Sequence, residues 1–320
     1  MNMGEELRSN YKNGSTSRWR NTLRALNRYK YIYILLLPGI TFYFIFHYVP
    51  MYGVQLAFKE FVLNKGIWGS PFVGLEKFKY VIYDAAFWHA IANTFVISLG
   101  KLIFVFPVPI FLALLINEVR EGAYKRALQT IFTFPHFLSW IIVSGIILNL
   151  LNNTGAINNL LGILGFERQQ FMAMPPLFRP ILCISDAWKE SGWESIIYLA
   201  TITSINHEIY EAAIIDGANR LQKILYITWP GIVSTVLILL ILRVGYTMTS
   251  GFDQIFNMYN PVVYDVADII GTYIYRVTFQ MSSTDFGFST ALGLCNSVTN
   301  FLLLLVANKI VKLFGNEGIF

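Results

Sequence analysis

Long apolar stretches separated by short polar segments dominate the pattern of this chain. Six stretches approach or exceed the roughly 20 apolar residues that a helix needs to cross a bilayer. They lie at about residues 31–49, 89–116, 127–151, 178–203, 232–249 and 288–307. These stretches are far longer than the strands of a membrane barrel, and backbone groups in lipid must be satisfied internally. The pattern therefore predicts an all-α membrane protein with six transmembrane helices.

Proline, glycine and polar residues predict where these helices end or bend. Pro50 is expected to end the first span, and Pro107 and Pro109 are expected to kink the second, because each removes a helical hydrogen bond. The pair Ser191–Gly192 is a candidate break in the fourth span. Residues 250–286 are polar and aromatic, which predicts an external loop.

Composition and charge support a membrane protein and predict its orientation. The 320 residues are 55% hydrophobic and only 13% charged, whereas ordinary soluble domains are about 25% charged. The net charge of +5 is concentrated beside the apolar stretches, which favours membrane orientation over nucleic-acid binding. The termini and the loops on their side hold 14 Lys and Arg residues, against 6 in the opposite loops. Because Lys and Arg mark the cytoplasmic side, both termini are predicted to be cytoplasmic.

The same reasoning divides the chain. Residues 1–30 are predicted to be a cytoplasmic basic tail, either as an interfacial helix or as a solvated segment. Residues 31–315 are predicted to form the transmembrane domain, with a cytoplasmic loop at 204–230.

Several common chemical motifs are missing from the sequence. It contains no phosphate-binding loop, so any ATP must be bound by a partner chain. Cys183 and Cys295 lie in apolar stretches and the four histidines are scattered, so no metal site is predicted. We predict no catalytic residue and no cofactor bound by this chain itself.

A polar stretch stands between the fourth and fifth apolar stretches. Asn206 is expected to cap a helix that begins at His207, and Gly217 to permit a sharp turn. A second short helix is expected over residues 218–228, ending before Pro230. Small and acidic side chains here suit docking of a basic partner. An amphipathic connecting helix in the headgroup region is the alternative.

The residue types and spacing of this stretch resemble the signature loop of the membrane subunits of binding-protein-dependent ABC importers. The matching positions, besides Ile227, are Glu211, Ala212, Ala213, Asp216, Gly217, Ala218 and Pro230. The resemblance covers about residues 30–315 and implies a Type I ABC importer permease fold. It also implies that the loop is a coupling helix seated in a groove of the ATP-binding subunit. His207, Ile224 and Ser234 depart from the commonest pattern, which affects packing of the loop more than its role.

Residues 251–261, 272–276 and 293–300 resemble the carbohydrate-importing branch, and in particular the maltose- and alginate-type oligosaccharide permeases. This resemblance implies several partners: a second homologous permease subunit, a dimer of ATP-binding subunits holding ATP and Mg, and an extracytoplasmic solute-binding protein. It implies a multi-pass protein in the cytoplasmic membrane of a prokaryote, with an oligosaccharide as substrate.

The fourth stretch carries the charged residues Asp186, Lys189, Glu190 and Glu194. A charge at the bilayer centre costs roughly 2.5–3.5 kcal/mol on insertion scales, so it seldom faces lipid. Helical spacing puts Asp186, Glu190, Trp193 and Ile197 on one face, which predicts the lining of a water-filled cavity. Internal pairs of Lys189 with Asp186 and Glu190 are the alternative. The candidate residues of the substrate pathway are Asn149, Trp188, Glu190, Trp193, Glu194, Arg243, Tyr246, Asn296 and Asn300.

Arg243 suggests the charge of the substrate. A cation within the fifth span suits an anionic oligosaccharide such as a uronate-containing fragment. A structural ion pair with Glu190, Glu194 or the partner subunit is the alternative. Lys101 and Asn149 are weaker candidates because either side chain can pair locally. A different class of function, a stand-alone membrane enzyme or channel using Asp186 and Glu194 as acid and base, also remains open.

Overall fold

The computed structural model describes residues 28–245, 251–280 and 285–313. These residues are predominantly helical, and their isolated β-bridge joins Lys59 to Phe72. The all-α fold is therefore confirmed. The chain folds as two units, of which the smaller comprises residues up to 56 together with 62–70. The larger comprises residues 57–61 and those from 71 onwards.

The first unit contains helix α1 at Lys30–Tyr43, which continues through a wider helical turn at Phe44–Tyr48. A more tightly wound helical segment follows at Pro50–Phe58, and its last two residues belong to the second unit. The expectation that Pro50 ends this span is wrong. Proline is tolerated in the first turn of a helix, where its missing N–H would lack a partner anyway. The short helix α2 at Gly66–Gly69 follows. The side chains of residues 31–50 are exposed, which suits a helix that lipid or another chain covers.

The second unit holds the remaining helices. They are α3 at Glu76–Tyr83, α4 at Ala85–Gly100, α5 at Pro107–Glu118, α6 at Ala123–Thr133, α7 at Trp140–Leu151, α8 at Ala156–Ile163, α9 at Pro175–Thr203, α10 at His207–Ile215, α11 at Arg220–Lys223, α12 at Trp229–Gly245, α13 at Phe252–Met258, α14 at Tyr264–Ala267, α15 at Ile270–Phe279 and α16 at Phe286–Leu313. Widened turns at Lys101–Val105 and Ile224–Thr228 join α4 to α5 and α11 to α12.

Five helical stretches among the described residues are long and apolar enough to cross a membrane. They are Lys30–Phe58, Ala85–Glu118, Trp140–Ile163, Arg220–Val244 and Phe286–Val306. The remaining predicted span corresponds to α9, which is 29 residues long and therefore long enough to cross a bilayer. It is less apolar than the others because it contains five charged residues, namely Arg179, Asp186, Lys189, Glu190 and Glu194.

The third span does not start at Ala127 as predicted. The chain forms the amphipathic helix α6, then a tight turn at Phe134–Phe137, and only then α7. Pro135 lies in that turn, and the side-chain oxygen of Ser139 accepts a hydrogen bond from the backbone N–H of Ile142 at 3.4 Å. The proline turn and the new N-cap split the apolar stretch into two helices.

Helix α9 runs unbroken through Ser191 and Gly192, so the predicted break is wrong. Gly192 serves close packing instead. A Cβ atom on Gly192 would lie 1.9 Å from the backbone oxygen of Phe132 in α6. The absence of a side chain therefore lets α6 and its following turn approach α9 directly.

This contact yields a stability prediction. We expect Gly192→Ala to lower the apparent melting temperature of the detergent-solubilised protein, because overpacking costs about 1–3 kcal/mol or more. Gly145→Ala on α7 is the matched control, since nothing lies within 4 Å of a Cβ there. Equal melting temperatures for the two variants would contradict the close-packing role.

Residues 251–280 do not form the predicted external loop. Their helices α13, α14 and α15 contribute buried side chains to the core, including Ile255, Met258, Ile270 and Tyr273. Helix α13 packs against α7, and α14 packs against α9. The polar composition misled the prediction because several of the polar groups are buried and hydrogen-bonded, as Gln254 and Asp268 are.

A second buried cluster joins α5, α9 and α12. Ile110 and Ala113 from α5 meet Tyr198 and Ile202 from α9 and Ile232 near the start of α12. This cluster fixes α12 beside α9, and so sets Arg243 opposite the charged face of α9.

Candidate functional site

A cavity of about 450 Å³ opens along the charged face of α9. We call it the charged cavity. Helix α9 contributes Asp186, Glu190, Trp193, Glu194, Ile197 and Tyr198, and other segments contribute Lys101, Phe106, Trp140, Leu239, Leu242, Arg243 and Gly251. The helical spacing that predicted a shared face of Asp186, Glu190, Trp193 and Ile197 therefore holds in the structure.

Arg243 bridges two carboxylates of α9. Its Nη1 atom donates to Glu194 Oε1 at 2.6 Å, and its Nη2 atom donates to Asp186 Oδ2 at 3.1 Å. The side chains of Arg243 and Glu194 keep about a quarter of their surface exposed, 25% and 27%, whereas Asp186 keeps 8%. The Glu194 arm of the guanidinium therefore faces the open cavity, and the Asp186 arm lies deeper.

Asp186 has a second cation on its other side. Lys101 Nζ lies 3.5 Å from Asp186 Oδ2 and donates a hydrogen bond to Gln254 Oε1 at 2.5 Å. Gly251 makes room for this ammonium, because a Cβ there would lie 3.3 Å from Lys101 Nζ. Gly251 also has a φ of +95° as it starts α13, a region that glycine adopts readily.

Gln254 is a central residue of this network that the sequence reasoning missed. It is fully buried, and its Nε2 atom donates to the carbonyl of Leu182 at 2.8 Å and to Ser185 Oγ at 2.7 Å. It thereby anchors α13 to α9 beside the ion pairs. A neutral amide in a polar stretch gives little signal in a sequence, and only the burial of α13 makes it conspicuous.

A second group of polar side chains forms around Glu190. Its carboxylate lies 2.7 Å from Lys189 Nζ and 2.6 Å from His136 Nδ1. Lys189 also donates to the carbonyl of His136 at 2.9 Å. The imidazole of His136 stacks on Trp193 with ring centroids 4.7 Å apart and planes 3° from parallel. One face of the Trp193 indole is therefore covered by the imidazole of His136.

The alternatives to a substrate site were internal ion pairs of Lys189 and a structural ion pair of Arg243. The structure contains some of these pairs. The Lys189–Glu190 pair forms, but Asp186 pairs with Lys101 and Arg243 rather than with Lys189. Arg243 forms the ion pair with Glu194 that the structural alternative required. The cavity wall and the side chains directly behind it thus hold three cations and three carboxylates that already neutralise one another.

Other predicted pathway residues lie apart from the charged cavity. Trp188 lines an apolar pocket with Ile146, Ile184 and Leu150, because its position is about 200° around α9 from Asp186 and Glu190. Asn149 lines a separate groove near the end of α7. Tyr246 lies outside the described residues.

Asn296 and Asn300 lie one turn apart on α16, and neither is among the described residues that line the charged cavity. The side-chain oxygen of Asn296 is buried and accepts no hydrogen bond within the described ranges. The structure therefore gathers Glu190, Trp193, Glu194 and Arg243 at the charged cavity, and Asn149, Trp188, Asn296 and Asn300 do not line it.

The predicted coupling loop at residues 204–230, which we call the coupling stretch, contains α10 and α11 joined by a turn. Asn206 caps α10 by accepting a hydrogen bond from the backbone N–H of Glu208 at 3.0 Å, as expected. Gly217 has a φ of +80°, which confirms the sharp turn. Contrary to the prediction, the helix does not end before Pro230, because the widened turn at Ile224–Thr228 carries it on into α12. Such widened turns accommodate a local disturbance of the helical ladder.

The surface of this stretch is exposed and partly apolar. Glu211, Ala212 and Asp216 are exposed, and Ile215 keeps 85% of its surface exposed. Ala213, Asp216, Gly217 and Ala218 line a shallow depression with Gln222 and Tyr226. The stretch therefore presents apolar, acidic and small side chains together on its surface.

Comparisons with known proteins agree with this architecture. Residues 105–314 match the family described as "Binding-protein-dependent transport system inner membrane component". The chain is 42% identical to Protein LplB of Bacillus subtilis (strain 168) over 93% of each chain. It is 39% identical to the polygalacturonan/rhamnogalacturonan transport system permease protein YteP of the same organism over 94% of each chain.

A solved structure shares both fold and sequence. A chain from the crystal structure of a bacterial alginate ABC transporter, in complex with its alginate pentasaccharide-bound periplasmic protein, superposes with a TM-score of 0.83. That chain is 40% identical, and the match covers 92% of this protein and 99% of the other. This protein therefore belongs to the family of inner membrane components of binding-protein-dependent transport systems and is a multi-pass membrane permease.

Proposed function

We propose that this chain is one of two permease subunits of an ATP-driven importer of acidic oligosaccharides. Arg243 carries the proposal: it lies in the wall of the charged cavity with one arm towards the open space. Relatives named for polygalacturonan, rhamnogalacturonan and alginate transport support a uronate-containing substrate. A second homologous permease, a dimer of subunits binding ATP and Mg, and an extracytoplasmic solute-binding protein complete the assembly.

In this proposal Glu194 is the exchangeable partner of Arg243. A sugar carboxylate can accept the charged hydrogen bond that Arg243 Nη1 donates to Glu194 Oε1, and can therefore replace Glu194 on the exposed arm of the guanidinium. Asp186 is buried and is also paired with Lys101, so it stays in place. Trp193 would contact the apolar face of the sugar ring with the side of the indole that His136 leaves open.

In the same proposal, the coupling stretch transmits the movement of the ATP-binding subunits to the membrane-spanning helices. Closure of the ATP-binding subunits moves α10, and α9 and α12 on either side of the stretch pass that motion to the cavity. Such coupling requires the partner to bind the two conformations of the permease with different affinity. Both termini and the coupling stretch face the cytoplasm in this arrangement.

A stand-alone enzyme using Asp186 and Glu194 is the weaker candidate. Asp186 and Glu194 both pair with Arg243, and Asp186 also pairs with Lys101. Neither carboxyl group can contact a substrate as acid or base while these ion pairs hold.

Transport by the reconstituted importer tests the proposed function. We expect ATP-dependent uptake of a galacturonate tetrasaccharide into proteoliposomes that contain all subunits and the solute-binding protein. Uptake of the matching neutral galactose tetrasaccharide should be about tenfold lower or less, which corresponds to ~1.4 kcal/mol for the lost carboxylate contact. A preference for the neutral sugar would overturn the acidic substrate. Uptake that needs no ATP-binding subunit would overturn the importer.

The proposed replacement of Glu194 by a sugar carboxylate on Arg243 leads to a separate prediction. We expect Glu194→Gln to strengthen binding of the galacturonate tetrasaccharide about tenfold, because the amide competes less for the guanidinium. Isothermal titration of the assembled transporter measures this change. Glu121→Gln is the control, since Glu121 pairs with Lys125 on the surface and does not line the charged cavity. Weaker binding by Glu194→Gln would show that Glu194 is a direct ligand of the sugar and is not displaced.

A further inference from the structure

A groove of about 750 Å³ lies where the end of α7 meets the turns at residues 170–173 and 260–262. Five amide side chains line it, from Asn149, Asn152, Asn153, Gln170 and Asn260. We call it the amide groove. Its volume lies within the range of small-molecule sites, roughly 300–1,000 Å³. No described residue that lines it carries a charge, which separates it chemically from the charged cavity.

Internal hydrogen bonds fix the walls of the amide groove. The fully buried Asn158 donates to the carbonyls of Asn152 at 2.9 Å and Gln169 at 2.8 Å, and accepts from the N–H of Gln169 at 2.8 Å. This joins the end of α7 to the segment carrying Gln170. On the opposite wall, Asn260 donates to the carbonyl of Met172 at 2.8 Å. The amide groove is therefore built by specific contacts and is not a gap between loose loops.

Three of the lining amides are not used by these contacts. Asn149, Asn153 and Gln170 are exposed, and their side chains make no hydrogen bond to another residue in the described ranges. A primary amide offers two donors and an acceptor with two lone pairs, which matches the mixed donor and acceptor character of sugar hydroxyls. Met172, Pro261 and Val262 add an apolar surface that suits the C–H face of a sugar ring.

The position of the amide groove relates it to the charged cavity. Helix α7 begins at Trp140, which lines the charged cavity, and reaches Asn149 about 14 Å further along its axis. Helix α13 likewise lies between Gly251, at the charged cavity, and the turn that holds Asn260. The amide groove also adjoins the start of α9, whereas the coupling stretch follows its end.

We infer that the amide groove is a second oligosaccharide-binding site, which binds the hydroxyl groups of sugar units before a sugar carboxylate reaches Arg243. The inference rests on the proposed function, because the site takes the same oligosaccharide at the opposite end of α9 from the coupling stretch. It assigns selection for carboxylates to the charged cavity and selection for hydroxyls to the amide groove.

Photo-crosslinking of the assembled transporter tests this inference. The probe is a galacturonate tetrasaccharide with a diazirine at its reducing end, and the crosslinked peptides are identified by mass spectrometry. We expect crosslinks in residues 148–153 or 170–173 as well as around Trp193. Asn149→Ala combined with Gln170→Ala should lower crosslinking in the amide groove about 30-fold, which corresponds to ~2 kcal/mol for two lost hydrogen bonds, and leave the yield around Trp193 within twofold.

The controls separate the possible failures. Asn159→Ala removes an exposed amide of the same segment, which hydrogen-bonds the carbonyl of Thr154 and does not line the amide groove. It should leave the crosslinking pattern unchanged. Absence of crosslinks in the amide groove, or an undiminished yield in the double variant, would overturn this inference alone. Weaker capture of the solute-binding protein by the double variant, without loss of these crosslinks, would identify a protein-docking surface instead. Absence of crosslinks around Trp193 together with absence of uptake would overturn the proposed function.

Discussion

Arg243→Ala is expected to reduce uptake of a galacturonate tetrasaccharide by about 100-fold, or ~3 kcal/mol, in the complete reconstituted importer. The substitution removes the cation that the acidic sugar needs, and it leaves the charges of Asp186 and Glu194 without their shared partner. Uptake relative to wild type, at equal amounts of assembled complex, measures the effect. Arg126→Ala is the control, because Arg126 is exposed and lies outside both the charged cavity and the coupling stretch.

A folding defect must be distinguished from loss of the binding group. In Arg243→Ala combined with Glu194→Gln, the unpaired Glu194 charge disappears and Asp186 retains Lys101. We expect this double variant to assemble normally and still to lack uronate uptake. Arg243→Lys keeps the charge but loses the two-armed geometry, so it should recover only part of the activity. Uronate uptake near the wild-type level in the double variant would contradict the role of Arg243.

Gly217→Val is expected to reduce coupled uptake by about tenfold or more while sugar binding remains intact. The φ of +80° costs a β-branched residue roughly 1–2 kcal/mol or more, so the turn of the coupling stretch should shift. Apart from its chain neighbours, nothing lies within 4 Å of a Cβ at this position. We therefore attribute the expected effect to the backbone conformation and not to steric overlap. Sugar-stimulated ATP hydrolysis and copurification of the ATP-binding subunits measure the coupling.

Gly165→Val provides a matched control for Gly217→Val. Gly165 has a φ of +83° and equally open surroundings, but it lies after α8 and outside the coupling stretch. Both substitutions strain a turn to a similar degree, and only Gly217→Val should lower copurification of the ATP-binding subunits. Equal losses in both variants would mean that general destabilisation is responsible.

Local sequence predicted the charged face of α9, through helical spacing, and the turn at Gly217, through the conformational freedom of glycine. It did not predict the pairing of Lys101 with Asp186 and Gln254, since Asp186 lies 85 positions from Lys101 and 68 from Gln254 along the chain. Hydropathy also misplaced the start of the third span, where the turn at Pro135 overrides a continuous apolar pattern.

The stretch after Gly251 shows a further reason why the sequence predicted only part of the fold. Its Asp, Asn, Gln and Tyr residues indicated a solvent-exposed loop, yet the structure satisfies many of them internally. Asp268 accepts from Arg276 at 2.5 Å and from Thr272 at 2.7 Å, and Tyr273 donates to Asp84. Polar composition alone cannot distinguish groups that water satisfies from groups that partners distant in sequence satisfy.

A density map of the assembled transporter with a galacturonate tetrasaccharide bound tests the central claim most directly. In the substrate-occluded state, the account predicts a sugar carboxylate at hydrogen-bonding distance, about 3 Å, from the guanidinium of Arg243. Glu194 should then have moved away while Asp186 remains in contact with Arg243. Sugar density that leaves the Arg243–Glu194 pair intact, with no carboxylate near Arg243, would contradict it.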